Sequence, residues 1–383
     1  MKVAIVTGNI KYIVTGSERY LNEVALYLKR KKVDTTLLIV NDKRVPKRTN
    51  PNYTKIKQKY EKIKSKAITP KIIHIGPLHT DFFYFKGLPK DSILYLPSNI
   101  YVHLLNILLK PPKQKYIIGS HVLQFQSYYQ SGKHVVFEKT FNKMIKNTLK
   151  LKSKEFKKNL FFHVINLQQK IYLEQEFGIN PKNIIHVPIF AHAENFKIGR
   201  NSSKQLKILH IGGSAKKADL VLKLIHELVE RGKIGEYEFH FIGKSEPEEL
   251  DKIASKYPNV INHGMADDKE KIRLHAESDV LIVPSIEAFP LTALEGLAAG
   301  LVIVSRSNSI NNELRELGAD IINVAEETPS AFADALEKVA IAKGKGELTA
   351  SRKEKDRKLV LENFSYDAVM PKVLKMFEFV EDA

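Results

Sequence analysis

Short runs of β-branched and other apolar residues alternate along the chain with segments whose apolar residues recur at helical spacing. The short runs predict buried strands, and the longer periodic segments predict amphipathic helices. The strands predicted in the first half are Val3–Val6, Thr36–Val40, Ile72–Ile75, Ile93–Leu96 and Tyr116–Ile118. Those in the second half are Ile208–Ile211, Phe239–Ile242, Val280–Val283, Val302–Val304 and Ile321–Val324. The predicted helices include Glu18–Lys31, Ala218–Arg231, Lys269–Ala276, Thr292–Ala299 and a final helix over Tyr366–Val380.

Alternation of strands and helices predicts an α/β protein with doubly wound parallel sheets. The pattern starts again at Lys207, after a polar stretch. We therefore expect a first domain over residues 1–200, a second over 201–363 and a terminal helical segment over 364–383, which returns to the first domain. Two such domains would face each other across a cleft. Ligands of open parallel sheets bind beyond the carboxyl ends of the strands, so the loops after the strands are where functional residues are expected.

The composition restricts the chemistry that a site can use. The chain has 383 residues, 43% of them hydrophobic, and is long enough to bury a core without disulfide or metal support. It has no cysteine, which excludes thiolate zinc sites, iron–sulfur clusters, cysteine nucleophiles and disulfides. No apolar stretch approaches the roughly 20 residues of a membrane-spanning helix, and the first apolar run is too short for a signal-peptide core. We expect a protein that is soluble or lies on a surface.

Charge is distributed unevenly between the two halves. The net charge is +18, yet residues 1–200 have 36 basic and 12 acidic residues, and residues 201–383 have 25 basic and 31 acidic ones. This asymmetry indicates that the first half faces an anionic partner: nucleic acid, an anionic membrane or an anionic substrate. Basic residues are concentrated in Asp42–Lys71, predicted to be a long loop or a loose helix, and in Phe137–Lys158.

The second of these stretches, Phe137–Lys158, has apolar residues near helical spacing, with eight lysines against two glutamates. A basic amphipathic helix of this kind can lie in the interface of an anionic membrane. It can equally pack its apolar face on the core and leave its lysines in water. The sequence leaves both interpretations open.

The segment that follows the predicted strand Val280–Val283 has the most specific pattern. A loop with Glu287 leads to Pro290, where a helix that carries Glu295 is predicted to start. Side chains on a helix lean toward its N-terminus, so Glu295 can reach back toward the loop. Two carboxylates placed in this way can accept hydrogen bonds from sugar hydroxyls, and the first N–H groups of the helix suit a phosphate. These N–H groups belong to Leu291 and Thr292.

Glu287 and Glu295, with Phe289 between them, resemble the E-x7-E motif of retaining family 4 glycosyltransferases, which have the GT-B fold of two Rossmann-like domains. The resemblance implies that Glu287 contacts the donor sugar as a catalytic residue and that Glu295 contacts the nucleotide ribose. It also implies that the backbone from Phe289 to Thr292 contacts the donor. The chain departs from the family at Ala288 and Pro290, where glycines are usual, and proline removes one N–H donor.

Other landmarks extend the resemblance over nearly the whole chain. Gly16 lies in a small-residue loop after the first strand, where its lack of a side chain would let the backbone approach a diphosphate. His121 follows the strand Tyr116–Ile118, and the family places a catalytic histidine there that faces the donor sugar. Both residues also have a purely structural interpretation. Gly16 can be part of a capped helix start, and His121 can be a structural histidine at the end of a strand. The remaining donor-binding residues that the resemblance implies are Gly212, Gly213, Lys216, Lys217, Gly243 and Met265.

Lys216 and Lys217 would clamp the donor diphosphate, because Gly213 occupies the position where the commoner family pattern has an arginine. Lysine is a compact point charge that lacks the fork of arginine, so the exchange changes the clamp. Gly243 and Met265 would border the nucleotide base.

The resemblance implies a hexosyl-type glycosyltransferase that uses a nucleoside-diphosphate sugar and retains the anomeric configuration. We expect no cofactor and no metal, since no metal-binding constellation is recognisable, and a glycan, anionic or lipid-linked acceptor. We expect a cytoplasmic location, peripheral on the membrane face if Phe137–Lys158 binds lipid. The alternatives are a non-catalytic GT-B protein and a nucleic-acid-binding protein that uses the basic half. No recognisable nucleic-acid-binding motif supports the latter.

Overall fold

The computed structural model describes most of the residues of the chain. They are residues 1–7, 16–40, 58–60, 63–68, 70–75, 80–85, 88–98, 114–120, 143, 146–147, 149–199, 203–213, 216–243, 247–285, 291–306 and 309–383. They form two compact units, one over Met1–Ile189 with Val369–Ala383 and one over Phe190–Ala368. No helix in these ranges is both long enough and apolar enough to cross a membrane.

The first unit is built on a parallel sheet. The strands of the unit are β1 (Lys2–Thr7), β2 (Asp34–Val40), β3 (Lys64–Ile68), β4 (Pro70–Ile75), β5 (Thr80–Phe85), β6 (Ile93–Ser98), β7 (Tyr116–Ser120), β8 (Leu160–Val164) and β9 (Ile184–His186). Within the described ranges, seven of these strands pair in the order β3-β2-β1-β6-β7-β8-β9, all parallel. The order reverses between β1 and β6, as in a doubly wound sheet. Its helices are α1 (Gly16–Arg30), α2 (Lys154–Lys158) and α3 (Leu167–Phe177).

Two predictions for this unit need correction. Ile72–Ile75 was predicted as a buried strand in a fold of parallel sheets, but it belongs to β4, which pairs antiparallel with β5 in a separate two-stranded sheet. The stretch Asp42–Lys71 was predicted as a loop or a loose helix, yet it contains β3 at the edge of the main sheet. An edge strand that exposes its lysines lacks the apolar run by which a buried strand is recognised.

The predicted continuous helix over Phe137–Lys158 is also wrong in its described part. The helical residues that end at Leu151 are followed by a break, and Ser153 caps the new helix α2 by accepting a hydrogen bond from the N–H of Phe156 (3.1 Å). Leu149 and Phe156 are buried in the core of the unit. Leu151, in contrast, is 88% exposed. The apolar side chains of this stretch are therefore divided between the core and the surface.

The second unit also has a parallel sheet. Its strands are β10 (Leu206–Ile211), β11 (Tyr237–Ile242), β12 (Val260–Asn262), β13 (Val280–Val283), β14 (Val302–Arg306) and β15 (Ile321–Val324). Among the described residues these six strands pair in the order β12-β11-β10-β13-β14-β15. The order reverses between β10 and β13, and parallel sheets bind ligands at the carboxyl end of such a switch point. The fold class is therefore confirmed as α/β with doubly wound sheets.

The helices of the second unit connect these strands. They are α4 (Ala218–Glu230), α5 (Pro247–Lys256), α6 (Asp268–Glu277), α7 (Leu291–Ala298), α8 (Ser309–Glu316), α9 (Pro329–Gly344) and α10 (Ala350–Phe364), and the final helix α11 (Tyr366–Asp382) contributes its residues from Val369 onward to the first unit. Thr328 caps α9 with its side chain, and Pro329 occupies the first helical position, where its missing N–H costs no hydrogen bond.

Close packing of α7 on the sheet positions the site described below. Gly296 of α7 lies so near the sheet that a Cβ atom there would be 2.8 Å from Cδ1 of Ile303 and 3.0 Å from Cδ2 of Leu281. Its neighbours Leu294 and Leu297 are fully buried. A small residue at this position therefore lets the helix pack directly on β13 and β14.

Candidate functional site

The loops that follow β10, β11 and β12 are joined at the carboxyl end of the second sheet. Gly212 and Gly243 both have a φ of +125°, a conformation that favours glycine. The N–H of Gly212 donates to the carbonyl of Ile242 (2.7 Å), and the N–H of Gly243 donates to the carbonyl of Gly264 (2.8 Å). A Cβ atom on Gly243 would lie 3.1 Å from Cα of Gly212. The lack of side chains at the predicted site glycines is therefore what brings these loops together.

The two lysines of the turn after β10 make different contacts. The N–H of Lys216 donates to the carbonyl of Gly213 (2.8 Å), and its aliphatic stem lies so close to Gly212 that a Cβ atom there would overlap it. Lys217 precedes α4 in a left-handed conformation, with φ 61° and ψ 39°. Such a conformation costs a residue with a side chain about 1–3 kcal/mol, which the surrounding contacts must offset. Its Nζ lies 2.9 Å from Oε1 of Glu327.

Arg306 and Glu327 belong to this site, although sequence reasoning did not find them. Arg306 is the last residue of β14, and Glu327 follows β15. The Nη1 atom of Arg306 forms an ion pair with Oε2 of Glu327. The other carboxylate oxygen of Glu327, Oε1, is paired with Nζ of Lys217. The signal that could have found both residues is their position at the carboxyl ends of predicted strands.

Glu295 lies on α7 and is paired with a lysine of α6. Its Oε2 is 2.6 Å from Nζ of Lys271, and the two side chains are 15% and 25% exposed. Burial raises the pKa of Glu295, and the ammonium of Lys271 opposes that rise. Nζ of Lys271 also lies 5.5 Å from the centre of the Phe196 ring. Glu295, the residue predicted to bind the ribose, is thus held in place by Lys271, a partner that the sequence did not indicate.

The helix that carries Glu295 starts at Leu291, and its start was predicted near Pro290. Leu291 and Thr292 occupy its first turn, and both are partly exposed. The predicted helix start is confirmed, and a role of these N–H groups toward a phosphate stays a prediction.

A cavity of about 550 Å³ adjoins the loop after β12. Met265 in its lining is 80% exposed. Behind it, Nε2 of His263 lies 2.9 Å from Nδ1 of His240, and the two rings are stacked with their centres 5.2 Å apart. Burial lowers the pKa of both histidines. The lining residues are His263, Met265, Ala266, Asp267, Lys269, Glu270 and Arg273.

Several predicted site residues cannot be placed in this geometry. His121, Glu287 and Phe289 lie outside the described residues, so their roles stay predictions. Gly16 is described as the first residue of α1 in the other unit. The residues that the structure brings together at the carboxyl end of the second sheet are Gly212, Gly213, Lys216, Lys217 and Gly243.

The second unit carries cationic side chains at the carboxyl ends of its strands and one largely buried carboxylate, that of Glu295. In the described ranges, no group of three or more histidine, aspartate or glutamate side chains could hold a metal ion. Metal independence nevertheless stays a prediction. The cationic side chains at the carboxyl ends of the strands, those of Lys216, Lys217 and Arg306, suit a diphosphate.

Comparison with known proteins finds a family match within the second unit. Residues 205–341 match the sequence model of the family described as glycosyl transferases group 1. The matched segment contains the glycine loops, both lysines, Arg306, Glu327 and Glu295. No curated protein matches the chain in sequence.

Solved structures are similar to the chain over its full length. A glycosyltransferase from Rickettsia africae ESF-5 is 15% identical with a TM-score of 0.66, over 100% of this chain and 99% of that one. Sucrose-phosphate synthase from Thermosynechococcus elongatus is 12% identical with a TM-score of 0.67, with the same coverage. Anabaena HepE in complex with UDP and glucose is 10% identical with a TM-score of 0.63, over 99% of both chains. At these identities the structures show the fold, and the predicted GT-B fold is confirmed.

Proposed function

We propose that the chain transfers a glycosyl group from a nucleoside-diphosphate sugar to an acceptor, with retention of anomeric configuration and without a metal ion. The observation that carries this proposal is the glycine-lined turn with Lys216 and Lys217, which follows β10 at the switch point of the sheet, within the segment that matches the group 1 glycosyltransferase model. The similar HepE structure contains UDP and glucose, which supports a nucleotide sugar as the donor.

In the proposed reaction the bond between the anomeric carbon and the diphosphate oxygen breaks. The acceptor hydroxyl oxygen forms the new bond to that carbon from the same face, and its proton passes to the departing phosphate oxygen. The diphosphate gains negative charge as it leaves, so cations that are already in place stabilise the transition state more than the ground state. Lys216 and Lys217 supply such charge at the end of β10.

The carboxylates have a different task in this proposal. Glu295, largely buried and paired with Lys271, accepts hydrogen bonds from the ribose hydroxyls. Glu287 and His121 contact the donor sugar near the reacting carbon, as the resemblance implies. Met265 and Gly243 border the base. None of these residues acts as the nucleophile and acid pair of a glycosidase, which needs two facing carboxyl groups at the scissile bond.

The transferase reaction can be tested without knowing the acceptor, because water can take the acceptor's place slowly. UDP-, GDP-, ADP- and TDP-sugars are incubated with the protein in EDTA, and release of nucleoside diphosphate is measured. We expect release from one donor class and a loss of about 100-fold in Lys217→Ala, the size typical for removing one oxyanion-stabilising group. Lys223→Ala, which changes an exposed lysine on α4, is the matched control. Release that is unaffected by Lys217→Ala, or that requires a metal, contradicts the proposal.

Retention can be read from the same reaction. The proton NMR signal of the anomeric hydrogen in the freshly released sugar shows its configuration before mutarotation. A released sugar with the donor's configuration supports retention, and the opposite configuration contradicts it.

We further propose that the acceptor is glycan or lipid-linked and is met at an anionic membrane surface through Phe137–Lys158. In the described part of this stretch, Leu151 is 88% exposed between Lys150 and Lys152. An exposed leucine flanked by lysines can insert into the headgroup region while its neighbours bind anionic lipid.

Vesicle flotation tests this surface. We expect salt-sensitive binding to phosphatidylglycerol vesicles, weaker binding to phosphatidylcholine vesicles, and loss of binding in Leu151→Asp. Leu317→Asp changes a leucine of the second unit that is 52% exposed and is the control. Equal behaviour of the two variants contradicts the membrane role. If the protein does not bind vesicles but retards DNA or RNA in a gel with a steep dependence on salt, the basic half has a nucleic-acid partner.

A further inference from the structure

One carboxylate of the second unit is shared by two cations that come from different strands. Oε1 of Glu327 lies 2.9 Å from Nζ of Lys217, and its Oε2 is paired with Nη1 of Arg306. Lys217 follows β10, Arg306 ends β14, and Glu327 follows β15. The topology of the sheet thus brings residues separated by up to 110 positions (217 to 327) to one point at its carboxyl end.

The three side chains are neither buried nor freely solvated. They are 27%, 24% and 26% exposed for Lys217, Arg306 and Glu327, respectively. Water can therefore reach the cluster, and so can a ligand. The ion pairs are also weaker than those of a dry interior, because solvent screens them.

The charges of the cluster do not cancel. Two cationic groups, those of Lys217 and Arg306, face the one carboxylate of Glu327. A guanidinium binds a carboxylate and a phosphate with the same fork of N–H groups, so the two anions are alternative partners. A diphosphate has more charge and more acceptor oxygens than one carboxylate, and is the better match for this excess of cations.

We propose that Arg306 is an additional diphosphate-binding residue and that Glu327 holds Arg306 and Lys217 until the diphosphate displaces it. The inference rests on the proposed function and extends it, since it assigns one residue that binds the donor and one that competes with it. The diphosphate can bind only those molecules in which Glu327 has released Arg306 and Lys217. The apparent affinity for the diphosphate is therefore reduced by the fraction of molecules in that state. Glu327 therefore weakens binding, although its neighbours promote it.

The two roles predict opposite effects on binding. Arg306→Gln removes a charge-assisted contact and should weaken nucleoside-diphosphate binding about tenfold, the effect of a hydrogen bond to a charged group. Glu327→Gln keeps the shape but removes the competing charge, and should strengthen binding several-fold. A purely structural cluster would respond to both substitutions with weaker binding, because each breaks the same ion pair.

The experiment is isothermal titration of the full chain with UDP, GDP, ADP and TDP, and with the corresponding nucleosides. Nucleoside binding should be unchanged in both variants, since it lacks the diphosphate. Arg231→Gln and Glu337→Gln are matched controls: Nη1 of Arg231 lies 3.0 Å from Oε1 of Glu337, and each side chain is 24% exposed, as in the cluster. Neither control should change diphosphate affinity.

The outcomes separate this inference from the function on which it rests. If the unmodified protein binds a nucleoside diphosphate and Arg306→Gln binds it equally well, the inference is wrong and the proposed function is intact. Weaker binding in Glu327→Gln also overturns the inference. If the unmodified protein binds none of the four diphosphates, the proposed function fails and the inference with it. Should Arg306→Gln not fold, Glu327→Gln decides alone, because it retains every cation.

Discussion

Replacement of Lys271 by methionine tests how the site holds its buried carboxylate. Nζ of Lys271 is 2.6 Å from Oε2 of Glu295, and the two side chains are 25% and 15% exposed. Removing one partner of a fully buried pair costs about 3–5 kcal/mol, because the remaining charge has no partner. Since both groups keep some contact with water, we expect about 2 kcal/mol for Lys271→Met. For a unit of this size that corresponds to a fall in Tm of about 4–8 °C.

The pH dependence of this loss identifies its cause. Burial raises the pKa of Glu295, and the loss of Lys271 raises it further. A carboxyl group whose pKa is raised by folding destabilises the folded state when it is ionised, and the penalty is lost as pH falls through that pKa. The difference in unfolding free energy between Lys271→Met and the parent should therefore be largest above the raised pKa of Glu295 and shrink as the pH falls through it. Loss of the cation over the Phe196 ring adds a smaller term that does not vary with pH.

Urea unfolding at a series of pH values measures this difference directly. Lys269→Met removes an exposed lysine from the same helix and is the control, with little effect expected. In a Glu295→Gln background the effect of Lys271→Met should fall to the pH-independent part alone. A destabilisation that is the same at every pH, or that is unchanged in the Glu295→Gln background, would show that the unpaired Glu295 carboxylate is not its cause.

Two other predictions concern the loops at the carboxyl end of the second sheet. His240 and His263 share a hydrogen bond of 2.9 Å, which fails when both rings are protonated, and burial lowers the pKa of each. Their contribution to stability is full above about pH 6.5 and is lost as pH falls, so His263→Gln should flatten the acid side of the urea-unfolding profile; an unchanged profile contradicts this. Gly243→Ala places a Cβ atom 3.1 Å from Gly212 at a φ of +125°. It should cost about 1–3 kcal/mol in thermal unfolding, and a Tm equal to that of the parent would show that the loops can separate freely.

The strands of the second unit were predictable because they are buried on both faces. Such strands appear in a sequence as continuous β-branched runs, and Val280–Val283 is predicted and observed with the same ends. β12 was missed because three residues, Val260–Asn262, are too few to show a pattern. β3 was missed because its outward lysines hide the strand. Ile72–Ile75 was recognised as a strand, but periodicity gives no information about which strand it pairs with.

In the candidate site, too, features that are local in sequence could be predicted and pairings between distant elements could not. The glycines and lysines after β10 could be predicted, because a turn that follows a strand is local in sequence. The pairings of Glu327 with Lys217 and Arg306, and of Lys271 with Glu295, could not, because each joins residues from different elements. Such pairings depend on the order of the strands in the sheet, which local patterns do not specify.

Binding of a nucleoside diphosphate is the most direct test of a donor site in this protein. Thermal shift in EDTA with UDP, GDP, ADP, TDP and CMP compares the parent with Lys217→Ala and with the exposed-lysine control Lys223→Ala. We predict that one diphosphate raises the Tm of the parent and of the control, and that the rise is lost in Lys217→Ala. No rise with any diphosphate, or a rise that Lys217→Ala retains in full, would contradict a donor site at the carboxyl end of the second sheet.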